Sequence, residues 1–124
     1  MALYGDPNVF SLVKRRAVSG ETVMFTARFT TAGASQPVVD VNKTRGPTKI
    51  ERTATGVTVI TLPMALRNAI VLTSDAGGTT AQESAGDMLE GSNVVIITTV
   101  TAGGAVAADS TGKAITVVII GTAH

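Results

Sequence analysis

The sequence predicts an all-β domain: a small β-sandwich or jelly roll of about seven or eight antiparallel strands behind an N-terminal arm. Three observations carry this expectation. Threonine, valine and isoleucine supply 43 of the 124 residues, and their branched side chains fit a pleated surface better than a helix. Glycine, proline and Asn/Asp clusters interrupt the chain at short intervals, as turns between strands do. No apolar spacing is long enough for the crossover helix of a parallel α/β sheet.

Residues 1–20 read as an arm and residues 21–124 as the domain. In the arm, Val9, Leu12, Val13 and Ala17 fall at helical spacing behind an Asp6-Pro7-Asn8 cap, which suits one or two helical turns, and an extended arm fits equally. Glu21 to Thr31 is the clearest strand, with Val23, Phe25, Ala27 and Phe29 facing a core and the alternate residues facing water. Residues 31–37 read as a loop, Val38 to Val41 as a short strand, and Asn42 to Pro47 as a basic loop. Lys49 to Thr55 and Gly56 to Leu62 follow as consecutive strands, closed by Pro63, which cannot donate to a ladder. Met64 to Asn68 reads as a turn, Ala69 to Thr73 as a strand, and Asp75 to Gly78 as a turn. Residues 79–90 are assigned to loop: Thr80-Ala-Gln-Glu83 has the form of a capping box, but Gly86 weakens a helix there, and Ala81 to Ala85 could equally make an edge strand.

The closing stretch is the most distinctive. Asn93 to Val100 and Ala114 to Gly121 are β-branched runs, apolar on both pleat faces. Both faces require cover, from a second sheet or from another subunit. The connection between the runs is longer than a tight hairpin, with room for a short strand around Ala105 to Ala107. Val95, Ile97, Val118 and Ile120 are the residues expected to form an oligomer interface.

Composition removes several chemistries. With no cysteine there is no disulfide, thiolate nucleophile or cysteine-based metal site. The one histidine, His124, has no histidine or cysteine partner, so Ser-His-Asp and Cys-His systems are excluded. Ser11-Leu-Val-Lys14 matches a Ser-x-x-Lys nucleophile pattern, but Lys43-Thr44 is followed by Arg45 rather than glycine. Ala107 to Ala114 imitates a phosphate loop, yet alanine replaces its first glycine and its final hydroxyl residue, and a strand follows instead of a helix. No calcium-loop spacing occurs. No cofactor, metal or catalytic residue is expected, and the chain is read as a non-enzyme.

The opening residues lack the pattern of a secretory signal, and the apolar runs are far shorter than the roughly 20 residues of a membrane-spanning helix. A protein made in a cytoplasm, without a membrane partner, is expected. Net charge is +1, but residues 1–67 carry nine basic groups against four acidic ones, and residues 68–124 carry one against five. Such polarity can orient a protein on a charged partner. Basic residues are not interleaved with aromatics, of which there are one Tyr and three Phe, so nucleic acid is not an expected partner.

Arg52-Thr-Ala-Thr-Gly-Val-Thr-Val-Ile-Thr-Leu-Pro63, the phrase Phe29-Thr-Thr-Ala-Gly33 and the closing Val117 to Thr122 together resemble small structural proteins of tailed bacteriophages. The resemblance implies a virion component on the capsid surface, a decoration or cement protein, often a homotrimer, whose partner is the major capsid protein. It supplies no site residue. Charge and apolar character nominate Tyr4, Phe10, Lys14, Arg15 and Arg16 of the arm, with Lys43 and Arg45 of the basic loop, as capsid contacts. A tail, neck or fibre-base subunit is the alternative within virions. A carbohydrate-binding sandwich is the alternative outside them, although sugar sites usually offer aromatic platforms.

Overall fold

A computed structural model describes residues 20–78, 82–101 and 106–124. Eight strands form two antiparallel four-stranded sheets: β1 (Thr22–Ala32), β2 (Ser35–Val39), β3 (Lys49–Ala54), β4 (Val57–Thr61), β5 (Leu66–Gly77), β6 (Gln82–Met88), β7 (Val94–Thr101) and β8 (Thr111–Ala123). One sheet, here the basic sheet, has the order β2-β1-β8-β5, and the other, the acidic sheet, has the order β3-β4-β7-β6. The described residues contain no helix.

Strict alternation builds this sandwich. On β1 the residues Val23, Phe25, Ala27 and Phe29 are buried while Thr22, Met24, Thr26 and Arg28 are not. β8 alternates in the same way, burying Ile115, Val117 and Ile119. From the opposite sheet come Ile60 of β4 and Val95 and Ile97 of β7, with Leu62 and Leu66 closing the core between the sheets. Burying large aliphatic and aromatic side chains contributes roughly 1.5–3 kcal/mol each, and this core is the main source of the fold's stability.

The two closing strands do not pair with each other. β8 lies between β1 and β5, whereas β7 lies between β4 and β6, so each forms part of the centre of a different sheet. That placement accounts for one apolar face of each strand, which lies in the core, and leaves Ile96, Val118 and Ile120 on the outer faces.

Several sequence expectations change. Residues 31–37 were expected as loop, but β2 begins at Ser35 and carries Pro37, which an edge strand tolerates because its outer N–H needs no partner. β5 extends well beyond Ala69–Thr73 in both directions. The expected turn over Met64–Asn68 is partly a bulge, with the register shifting between Arg67 and Ile70 and Asn68 at φ 53°, and the expected turn at Asp75 is strand, where Asp75 pairs with Ile115. Of the two readings of residues 79–90, loop or an edge strand over Ala81 to Ala85, the edge strand is the one present, shifted to Gln82–Met88 and paired along its length with β7. Of the short strand expected near Ala105 to Ala107, the described part is an isolated bridge between Val100 and Ala107.

Side chains join the sheets at two seams. Where β2 meets β3, the Gln36 amide acts as a surrogate strand: its Oε1 accepts the Arg52 N–H (2.8 Å) and its Nε2 donates to the Arg52 carbonyl (3.0 Å). Where β5 meets β6, the Asp75 carboxylate accepts the Ser84 N–H (3.0 Å) and the Ser84 hydroxyl. Gly86 permits the second approach, because a Cβ there would lie 2.4 Å from Val71 Cγ1 and 3.0 Å from Ile97 Cδ1.

Candidate functional site

The strongest polar constellation lies at one end of the sandwich. Arg52 projects from β3 toward Asp109, in the segment leading to β8, and binds it with Nε (2.9 Å) and Nη2 (2.8 Å). The same carboxylate accepts the Gly56 N–H at 2.8 Å. Both side chains are mostly covered, with 20% and 24% of their surfaces exposed. The Arg52 hydrogen bonds, helped by the Gly56 N–H and by the guanidinium charge, hold the Asp109 carboxyl below its usual range. Asp109 in turn raises the Arg52 pKa.

Gly56 is fixed in this arrangement. Its φ is +69°, and a Cβ would lie 2.7 Å from both Ala108 N and Thr99 O. The adjoining cavity is about 20 Å3, room for about one water, and Thr31, Thr58, Thr99 and Ser110 supply its polar lining. Two of its hydroxyls donate locally, Thr99 to Ala108 O (2.6 Å) and Ser110 to Thr31 Oγ1 (2.9 Å). A bidentate clip, a tight turn and a one-water cavity make a structural lock between β3, the β3–β4 turn and the start of β8. This long-range pair escaped sequence analysis, which counted Arg52 and Asp109 among the charges of the two halves of the chain. No local spacing links two residues so far apart in the chain.

The residues expected to touch a partner fall into three groups. Tyr4, Phe10, Lys14, Arg15 and Arg16 lie outside the described residues, as does the arm through residue 19. Lys43 and Arg45 are exposed on a loop stitched to β1, where Arg45 N donates to Thr26 O (2.8 Å), Thr26 N donates to Arg45 O (3.2 Å) and Arg28 N donates to Thr44 Oγ1 (3.1 Å). Their backbones are fixed while their charges face outward. A groove of about 290 Å3 runs beside this loop, lined by residues including Val39, Val41, Pro47 and Ile50.

The third group divides. Val95 and Ile97, expected at a subunit interface, are buried at 0% and 1% exposure against the facing sheet of the same chain. Their side chains are consumed by the core. Val118 and Ile120 lie on the outer face of the basic sheet, only partly covered.

These two valine and isoleucine residues have neighbours that the sequence reading did not select. Register aligns Met24, Ile120 and Ile70 in one row across β1, β8 and β5, and Thr26, Val118 and Leu72 in the next. Met24, Ile70 and Leu72 are 63%, 57% and 55% exposed. Residues with the same parity on one sheet face form a contiguous patch rather than scattered contacts. Alternation around Ile70 and Leu72 was visible in the sequence, but their alignment with Met24 depends on β8 lying between β1 and β5.

The outer face of the acidic sheet has its own apolar centre. Glu51, Val59, Ile96 and Asp87 form one row across β3, β4, β7 and β6, with a carboxylate at each end and Ile96 46% exposed. Lys49 pairs with Glu51 at 3.2 Å.

Among the described residues, no three His, Asp or Glu side chains gather as metal ligands. Comparison with protein-family models, curated proteins and solved structures finds no match.

Proposed function

We propose that this protein is a structural component of a phage virion, a decoration protein that binds the outer surface of the major capsid protein and works through surface area rather than catalysis. The observation that carries the reading is the basic loop, where Lys43 and Arg45 face outward from a backbone pinned to β1 beside a groove lined by residues including Val39, Val41, Pro47 and Ile50. Cations on a fixed backbone next to an apolar lining suit a charged protein surface. The resemblance of the strand phrases to phage structural proteins supplies the setting.

Binding combines three modest contributions: the arm with Tyr4, Phe10 and Lys14 to Arg16, the basic loop, and repetition over many equivalent capsid sites. Linked weak contacts multiply into useful avidity. The test uses shells stripped of this protein and the purified chain. Removing residues 1–18 deletes no residue of β1 to β8 and is expected to abolish shell binding with an unchanged β-type circular dichroism spectrum. Lys43→Glu with Arg45→Glu is expected to weaken binding at least tenfold. Undiminished binding by the truncated chain, or antibody labelling of tails instead of heads, overturns the reading.

A further inference from the structure

The two outer faces of the sandwich differ in charge and share an apolar centre. On the basic sheet, Arg28 and Arg67 flank the rows that contain Leu72 and Ile120, and no carboxylate occupies an outward position on β1, β8 or β5. On the acidic sheet, Glu51 and Asp87 close the row through Val59 and Ile96, with Lys49 paired to Glu51 at 3.2 Å on the same face.

We propose that the basic-sheet face of one copy docks on the acidic-sheet face of the next, so that the protein assembles head to tail. Charge selects this occupant. Two basic-sheet faces brought together would set Arg28 and Arg67 against their own copies with no outward carboxylate on β1, β8 or β5 to meet them, and desolvated like charges oppose association. Unlike faces bring cations to carboxylates around two apolar centres. Packing of one sheet on another is also the arrangement that sheet faces use inside a sandwich, with layers about 10 Å apart.

Area sets the strength. At about 4.8 Å between strands and about 3.3 Å per residue, the acidic sheet offers roughly 400 Å2 in projection and the basic sheet roughly 650 Å2. The smaller face limits the contact to the low end of specific interfaces, about 800 Å2 per partner being standard. Assembly is therefore concentration-dependent and reversible. Because the two faces lie on opposite sides of the sandwich, successive copies form an open row, in contrast to the three-fold ring implied by the resemblance to phage proteins. A heterologous contact that does not close extends.

The proposal needs no capsid, so its test is independent of shell binding. Sedimentation velocity and native mass spectrometry of the full chain are expected to show a ladder of species that grows with concentration. Leu72→Glu, with a damaged basic-sheet face, and Ile96→Glu, with a damaged acidic-sheet face, are each expected to be monomeric. Mixed in equal amounts, they are expected to form a two-chain complex containing one copy of each, since every variant keeps the face that the other lacks. Met24→Glu and Asp87→Lys serve as the second pair if either of the first variants loses its β-type circular dichroism. A wild-type monomer at all concentrations, a discrete trimer that does not grow, or a folded mixed pair that stays monomeric overturns head-to-tail docking. So does dimerisation of Ile96→Glu alone, which would mean that the basic-sheet face pairs with itself.

Discussion

Asp75 and Ser84 stand on the edge strands of different sheets, and the Asp75 carboxylate accepts both the backbone N–H and the hydroxyl of Ser84. One side chain thus does at this seam what a strand ladder does within a sheet. Asp75→Ala is expected to lower stability by about 0.5–1.5 kcal/mol, the usual net worth of such hydrogen bonds. Hydrogen exchange should locate the effect, with the Ser84 amide losing protection before the amides of β7. Uniform loss across the domain, or none at Ser84, would contradict a local seam.

The Arg52–Asp109 lock carries a pH signature. Asp109 has its carboxyl pKa lowered in the folded protein, so its contribution is fully present above the unfolded aspartate value of about 3.9 and disappears as pH falls through the lower folded value. Denaturation of wild type and Asp109→Asn should therefore show a constant stability gap from neutral pH down to the unfolded aspartate range. The gap should narrow below it. A gap that stays constant into strong acid would contradict the electrostatic origin.

Gly56 should tolerate no side chain. Its positive φ disfavours any L-residue by roughly 1–2 kcal/mol, and two backbone atoms stand where a Cβ would go. Gly56→Ala is expected to cost about 2–4 kcal/mol in chemical denaturation when overpacking is added. A loss below 1 kcal/mol would show that the turn relaxes more easily than its contacts allow.

Asn68 is the converse case. It adopts φ 53° at the β5 bulge, and its N–H is held by Glu90 Oε1 at 3.0 Å. Asn68→Gly is expected to change stability by no more than a few tenths of a kcal/mol, whereas Asn68→Val should cost about 1–2 kcal/mol. Equal effects of the two substitutions would refute a backbone origin.

The sequence made the class of fold and most strand positions legible because alternation is a local signal. Val23 to Phe29 declares its buried side within seven residues, and no partner strand is needed to see it. β6 could be read only as an alternative to loop, because Gly86 and the capping-box-like Thr80 to Glu83 are turn or helix signals in isolation. Gly86 is explained only by Val71 and Ile97, which approach from other strands. The candidate surfaces were half legible for a related reason. Val118 and Ile120 could be recognised as apolar on their own strand, but pairing with Met24, Ile70 and Leu72 depends on strand order. The same ignorance of strand order left Val95 and Ile97 equally eligible for a core or an interface.

The placement of β7 and β8 governs how this chain can fold during synthesis. β1 has its β8 edge open, and β4 lacks its inner neighbour, until residues beyond 93 have been made. Neither sheet can form its centre from the portion that emerges first, so the early strands β1 to β5 wait with unpaired edges and a partial core. Non-local pairing of this kind folds slowly and leaves sticky intermediates. A ribosome-bound fragment ending before β8 should recruit chaperones and resist no protease, and protection should arrive abruptly when the final strand clears the exit tunnel.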